Sequence, residues 1–217
     1  MNKRVLVIAP HPDDEVLGCG GTIKKYIKDG NDAFLCVVTK AYAPDWSEKY
    51  MRDKMAETKK SNEVLGFKKT YFLELPTVKL DTIPQKELND KIHNVVKEVD
   101  PDILYIPFDG DLNKDHRLIS ESCLVSARPF GNKIKKIFVY EVLSETEWGI
   151  KPFIPTTYVD IAETLKDKLR AMSCYKSELK KYPHPRSLEG ITVLAKKRGT
   201  ESGLLAAEAF MIIREII

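Results

Sequence analysis

Short, wholly apolar runs alternate along the chain with segments whose apolar residues recur every three or four positions. Four runs, RVLVIA at 4–9, AFLCVVT at 33–39, KTYFLEL at 69–75 and DILYIPF at 102–108, are rich in β-branched and aromatic residues. They are apolar on both faces, the pattern of strands covered on both sides of a sheet. Between them, residues 15–29 bring Val16, Ile23 and Ile27 onto one helical face, and residues 85–98 do the same for Leu88, Ile92, Val95 and Val96. Residues 46–65, rich in Lys, Glu, Met and Ala, run to a helix stop at Leu65-Gly66. Strand and helix alternating at this spacing predict an α/β fold, a Rossmann-like three-layer sandwich with a mostly parallel central sheet and right-handed crossovers. Beyond residue 115 the pattern predicts a helix over 116–127, a strand over 134–142, a Pro-punctuated stretch KPFIPTTYVDI and a helix over 162–175. The basic loop KKYPHPRS and two closing helical patterns, ending in GLLAAEAFMIIREI, complete the chain. No composition break divides it, so one domain over residues 1–217 is expected.

Charge and cysteine usage narrow the setting. A net charge of +3 gives no reason to expect nucleic acid or a membrane surface as partner, and no stretch reaches transmembrane length. The first apolar run stops at a proline and three acids, too soon for the core of a signal sequence. Cys19, Cys36, Cys123 and Cys174 are scattered without a CxxC pair, which fits a reducing compartment, and a cytoplasmic protein is expected. Self-association into a homo-oligomer is left open.

The candidate chemistry lies at the end of the first strand, where HPDDE occupies residues 11–15. Three adjacent carboxylates repel one another, so a positive partner is expected among them. A catalytic zinc site takes three ligands from His, Asp or Glu and leaves a fourth position for water. His11 and Asp14, three apart on a turn, can converge on one point. Of the other histidines, His93 lies within a helix, whereas His116, in GDLNKDHR, leaves the strand at 102–108 on the same carboxyl edge of the sheet as His11. His11, Asp14 and His116 then hold Zn²⁺, and Asp13 remains beside them as a base for the attacking water, the arrangement of amide or ester hydrolysis. The competing explanation is helix capping by Asp13 or Asp14; it accounts for the acids and not for the histidine. The glycines of Gly18-Cys19-Gly20-Gly21 lack GxGxxG spacing and read as close approach of a helix to the sheet.

APHPDDEVLGCGGTI, with DLNKDHR and the closing AEAF, resembles the PIG-L/LmbE-like family of zinc-dependent N-acetylglucosamine deacetylases over nearly the whole chain. The resemblance implies zinc on His11, Asp14 and His116, and Asp13 as general base. Many family members carry a helper histidine where this chain has Asn113, in Asn113-Lys114-Asp115-His116. Asp115 matches the family's acid there and would orient an imidazole or tune proton transfer; His184, in YPHPRS, is the candidate replacement for the missing imidazole. Arg186 and Arg198 are candidate ligands for a phosphate or diphosphate on an activated sugar. Trp148 is a candidate stacking face, and Lys54 a contact for the sugar, although the family more often shows arginine there. The expected activity is removal of acetyl from an N-acetylated amino sugar, an activated or nucleotide-linked sugar or a surface-glycan precursor. The alternatives are a metal-dependent amidase on a non-sugar N-acyl substrate and a non-catalytic sugar- or nucleotide-binding protein.

Overall fold

The computed structural model describes residues 2–217. Its elements run β1 (Arg4–Ala9), α1 (Asp14–Lys28), β2 (Asp32–Lys40), α2 (Glu48–Leu65), β3 (Lys69–Pro76), a 3-10 turn (Leu80–Thr82), α3 (Gln85–Val99), β4 (Ile103–Pro107), α4 (Lys114–Ser126), β5 (Lys136–Tyr140), β6 (Thr157–Asp160), α5 (Leu165–Met172), α6 (Leu188–Ser202) and β7 (Ala207–Glu215). The strands form one sheet in the order β3-β2-β1-β4-β5-β7-β6. The first five pair in parallel, and β7 runs antiparallel to both β5 and β6. Alternation along β1 feeds two cores. Val5, Val7 and Ala9 pack towards α1, α2, α5 and α6, and Leu6 and Ile8 pack towards α3 and α4. That makes the three layers that the apolar pattern predicts.

The sheet order reverses at β1, which has β2 on one side and β4 on the other. In open α/β sheets the crevice outside the carboxyl ends of two such strands takes the ligand. The loops after β1 and β4 carry HPDDE and GDLNKDHR, so the topology alone places the two motifs together.

Two expectations for the last third are corrected. GLLAAEAFMIIREI does not close in a helix: Ala207–Glu215 is strand β7, with Phe210 facing Tyr140 of β5 and Thr157 of β6. Ala-Glu-Ala favours helix locally, but β7 covers the open edge of β5 and buries Ala207, Ala209 and Phe210, and tertiary pairing overrides propensity. The Pro-punctuated stretch likewise supplies strand β6. The helix expected over 162–175 is helical only at Leu165–Met172.

Helix α1 is broken at Cys19 (φ −144°), which releases backbone groups that need other partners. Lys168 Nζ donates to the Leu17 carbonyl at 2.8 Å, and the Glu208 carboxylate accepts from the Gly21 and Thr22 N–H groups at 2.9 and 2.7 Å. Lys168 and Glu208 are themselves paired at 2.6 Å, so AEAF works as a buried splice for α1. The glycines do allow the close approach. A Cβ on Gly18 would meet the Tyr140 ring, and one on Gly21 would meet Ile161 at 2.9 Å. Tyr140 is fully buried with its hydroxyl donating to the Ile8 carbonyl at 2.7 Å, so the ring has nowhere to retreat. Gly18→Ala is therefore expected to lower stability by about 1–3 kcal/mol, the cost of overpacking, read as a lowered denaturant midpoint with an unchanged slope.

Candidate metal centre

β1 ends just before Pro10, and the chain turns through His11 and Pro12 into α1. Asp13 sits at the N-cap with φ 112°, yet its side chain makes no capping hydrogen bond. Its backbone N–H instead donates to Glu15 Oε2 at 3.0 Å, while Glu15 Oε1 accepts from the Tyr175 hydroxyl at 2.6 Å. The capping explanation of the acids thus fails for Asp13. A non-glycine residue at this φ costs on the order of 1–3 kcal/mol and persists where surroundings impose it, often at functional sites. The strain turns the Asp13 side chain into the cleft.

His11, Asp14 and His116 converge. His11 Nδ1 lies 3.2 Å from Asp14 Oδ2, His116 Nε2 lies 3.3 Å from the same oxygen, and the two ring nitrogens are 3.2 Å apart. The other nitrogen of each ring is held by an acid. His116 Nδ1 meets Asp111 Oδ2 at 2.8 Å, and His11 Nε2 meets Asp115 Oδ2 at 3.2 Å. Ionised carboxylates only accept, so each imidazole, when neutral, presents its N–H outward to its acid and its lone pair inward. Two lone pairs and a carboxylate oxygen then face one another, and Asp14 Oδ1 is buried with no hydrogen-bond partner among the described residues. Such a triangle needs a cation. Donors about 2.0–2.1 Å from a tetrahedral ion stand roughly 3.3 Å apart, which the three observed separations match, so these residues fit a first-row divalent metal ion.

The same crowding sets the proton affinities of the bare triangle. Burial alone would lower the His116 pKa, but the Asp14 charge and the hydrogen bonds to Asp111 and Asp14 outweigh it and raise the value to about 10. Burial opposes ionisation of Asp14 too, yet the His116 charge and hydrogen bonds from both imidazoles hold it well below the usual carboxylate range. A proton thus takes the place that a metal ion would fill. Asp13 differs: burial pushes it up to about 6 against the pull of the Lys54 and Arg186 charges.

A cleft of about 210 Å³ opens over His11 and Asp13. Lys54 and Arg186 both line it. Arg186 reaches Asp13 at 3.4 Å, Glu178 at 3.2 Å and Ser144 Oγ at 2.6 Å, and Lys54 pairs with Glu178 at 2.8 Å. Three other candidates are not brought to the cleft. Arg198 is buried on α6, gripping both oxygens of Glu141 at 2.8 and 2.7 Å and Glu201 at 2.8 Å, with no donor facing a substrate. His184 does not line the cleft; its Nδ1 accepts from the Arg186 N–H at 3.1 Å, fixing the loop that carries Arg186. Trp148, half exposed, stands edge-on to the His184 ring at 6.0 Å and is also outside the cleft. Asn113 is occupied as the cap of α4, accepting from the Asp115 N–H at 3.0 Å.

Asp111, Glu145 and Glu178 do not stand out in the sequence. Asp111 carries a usable signal, standing five residues before His116 in the same motif, because metal-ligating histidines usually give their second N–H to a carboxylate. Glu145 and Glu178 come from remote loops and carry none. Asp111→Asn is expected to weaken metal affinity about 10–100-fold without removing the site, measured by competition with a chromogenic chelator.

Comparisons with known proteins identify the family and match the fold. The chain is 29% identical over 191 residues to diacetylchitobiose deacetylase of Thermococcus kodakarensis, covering 81% of this chain and 70% of that protein. Its fold matches the crystal structure of the conserved protein TT1542 from Thermus thermophilus with a TM-score of 0.81 at 22% identity, covering 99% of this chain and 96% of the other. It matches N,N'-diacetylchitobiose deacetylase from Pyrococcus horikoshii, bound to an inhibitor, with a TM-score of 0.79 at 23% identity over 98% and 84% of the two chains. Residues 6–126, more than half of the 217, match the family described as PIG-L, GlcNAc-PI de-N-acetylase, and the chain belongs to that family.

Proposed function

We propose that this protein is a zinc-dependent hydrolase that removes the acetyl group from an N-acetylated amino sugar, releasing acetate and the free amine. The observation that carries the reading is the convergence of His11, Asp14 and His116 beside a buried carboxylate, Asp13, that stands outside the triangle and lines the same cleft as His11. Membership of the family and the deacetylase relatives support the sugar amide as the bond. A binding protein has no use for a strained, buried acid beside such a cluster.

Zinc bound there would supply Lewis acidity, making water nucleophilic near neutral pH and polarising the amide carbonyl. The protein's own groups do the rest. Asp111 and Asp115 fix the ring orientations of His116 and His11, and Asp115 is itself held by the Val78 N–H at 2.6 Å. Asp13 takes the proton from the attacking water and returns it to the departing nitrogen. Arg186, clamped by Ser144 and Glu178, holds Asp13 in place and keeps its charge available. Lys54, Glu178 and Tyr50 line the cleft near Asp13, where sugar hydroxyls would find donors and acceptors.

The test is acetate release from a panel of N-acetylhexosamines and non-sugar N-acetyl amides, with the protein stripped of metal and then reloaded. Metal-dependent cleavage of at least one N-acetylhexosamine is expected. Cleavage of the non-sugar amides alone would overturn the sugar assignment.

A further inference from the structure

The cleft has two kinds of lining, charged and apolar. On α2, Met51, Lys54, Met55 and Thr58 follow the spacing of one helical face, and all four line it. Thr58, at the inner end of that stripe, is fully buried, whereas Met51 and Met55 are partly exposed. Trp46 before the helix, Phe72 of β3 and Val78 extend the apolar surface. Val78 is 65% exposed and holds φ 58°, an outlier for a β-branched residue, beside the hydrogen bond that its N–H gives to Asp115. Charged groups therefore stand against Asp13, and Trp46, Met51, Met55, Phe72 and Val78 give the same cleft an apolar wall.

Charge points the same way. The cleft's three cations are all paired, Lys54 with Glu178, Arg186 with Glu178, Glu145 and Asp13, and Lys40 with Glu74 at 3.0 Å. Four carboxylates, Asp13, Glu74, Glu145 and Glu178, stand against those three cations. A diphosphate needs guanidinium or ammonium groups free to bind it, and all three of these cations are already committed to carboxylates.

We infer that the substrate is an uncharged amino-sugar glycoside whose aglycone is apolar, seated on Trp46, Met51, Met55, Phe72 and Val78. The inference rests on the proposed deacetylation and identifies the group attached to the sugar. The aglycone fits the apolar wall better than a long N-acyl chain because the side chain in contact with Asp13, where the acyl carbonyl must lie, is the charged Arg186, itself paired with Glu178 and Glu145. Methionines suit the role, being flexible and polarisable enough to mould to irregular apolar groups.

The experiment compares, on metal-loaded protein, the methyl and hexyl glycosides of N-acetylglucosamine, N-hexanoylglucosamine and a nucleoside diphosphate-linked N-acetylglucosamine. Binding of each is also followed by calorimetry. The hexyl glycoside is expected to exceed the methyl glycoside in kcat/KM by at least about ten-fold, the effect of burying roughly two methylenes. The ratio should fall towards one in the double variant Met51→Gln, Met55→Gln, whose replacements keep length and helix propensity. A hexyl-to-methyl ratio within about two-fold, a gain confined to the N-hexanoyl sugar, or preference for the nucleotide-linked sugar would each overturn the inference; about ten-fold is 1.4 kcal/mol and is well resolved. If no amide is cleaved, the proposed function falls instead, and the calorimetric hexyl-to-methyl ratio, read the same way, still decides the apolar subsite.

Discussion

Asp13→Asn is expected to lower kcat by about 10²–10⁴-fold, the usual worth of a positioned general base, in a protein that stays folded and binds metal as before. The substitution is nearly isosteric, and Asp13 is not among the three converging ligands. Arg186 keeps Glu178 and Glu145 as partners when the Asp13 charge is removed, so no buried cation is stranded. The backbone strain at φ 112° is retained, and the fold has no reason to change. The pH profile adds a second signature. Asp13 must be ionised to accept a proton, so activity is full above its pKa and is lost as pH falls through it. Burial sets that value at about 6 without metal, and a neighbouring cation can only draw it down. The acid limb of kcat/KM should thus fall at or below pH 6, and the residual activity of the Asn variant should lack it. A loss of less than about three-fold would remove Asp13 from the proton-transfer role.

Asp14→Asn should have the larger effect on the metal. It leaves the shape of the triangle but removes the one negative charge shared by His11 and His116, and turnover should fall by about 10³-fold or more, because Lewis-acid activation contributes several kcal/mol. Stability falls with it. A ligand that binds only the folded state at 100 times its dissociation constant contributes about 2.7 kcal/mol, so excess metal should raise the melting temperature of the wild-type protein and leave the Asn variant unmoved. Chelation of the wild-type protein should reproduce both losses, and reloading should reverse them. His116→Ala is a poorer probe, since it strands Asp111, buried at 1% exposure, without the imidazole that holds it.

The parallel half of the molecule is legible in the sequence because its apolar runs are continuous, those of β1, β2 and β4 being buried on both faces while β3 is part-exposed at the sheet edge; β1, β2, β3 and β4 lie within a residue or two of where the pattern puts them. HPDDE and DLNKDHR can be brought together from topology alone, since both follow strands at the point where the sheet order reverses. The last third is harder for physical reasons. β7 carries an Ala-Glu-Ala start that favours helix, and its strand character comes from pairing with β5 and β6, which no local pattern records. Arg198 shows the same limit. A guanidinium beside a loop former looks free in sequence, but Glu141 lies 57 positions away and only the fold reveals that it claims the side chain. His184 stands out only by elimination among four histidines, and elimination carries no geometry. Asp115 reads in sequence as an acid able to orient an imidazole, and the structure places it against His11 Nε2.

The central claim is that residues from two distant turns grip one cation. Diffraction from crystals of the zinc-loaded protein, collected on either side of the zinc absorption edge, tests it directly. The account predicts one anomalous peak, about 2.0–2.2 Å from His11 Nδ1, His116 Nε2 and an Asp14 oxygen. A peak elsewhere, or none at that triangle in fully loaded protein, would contradict it.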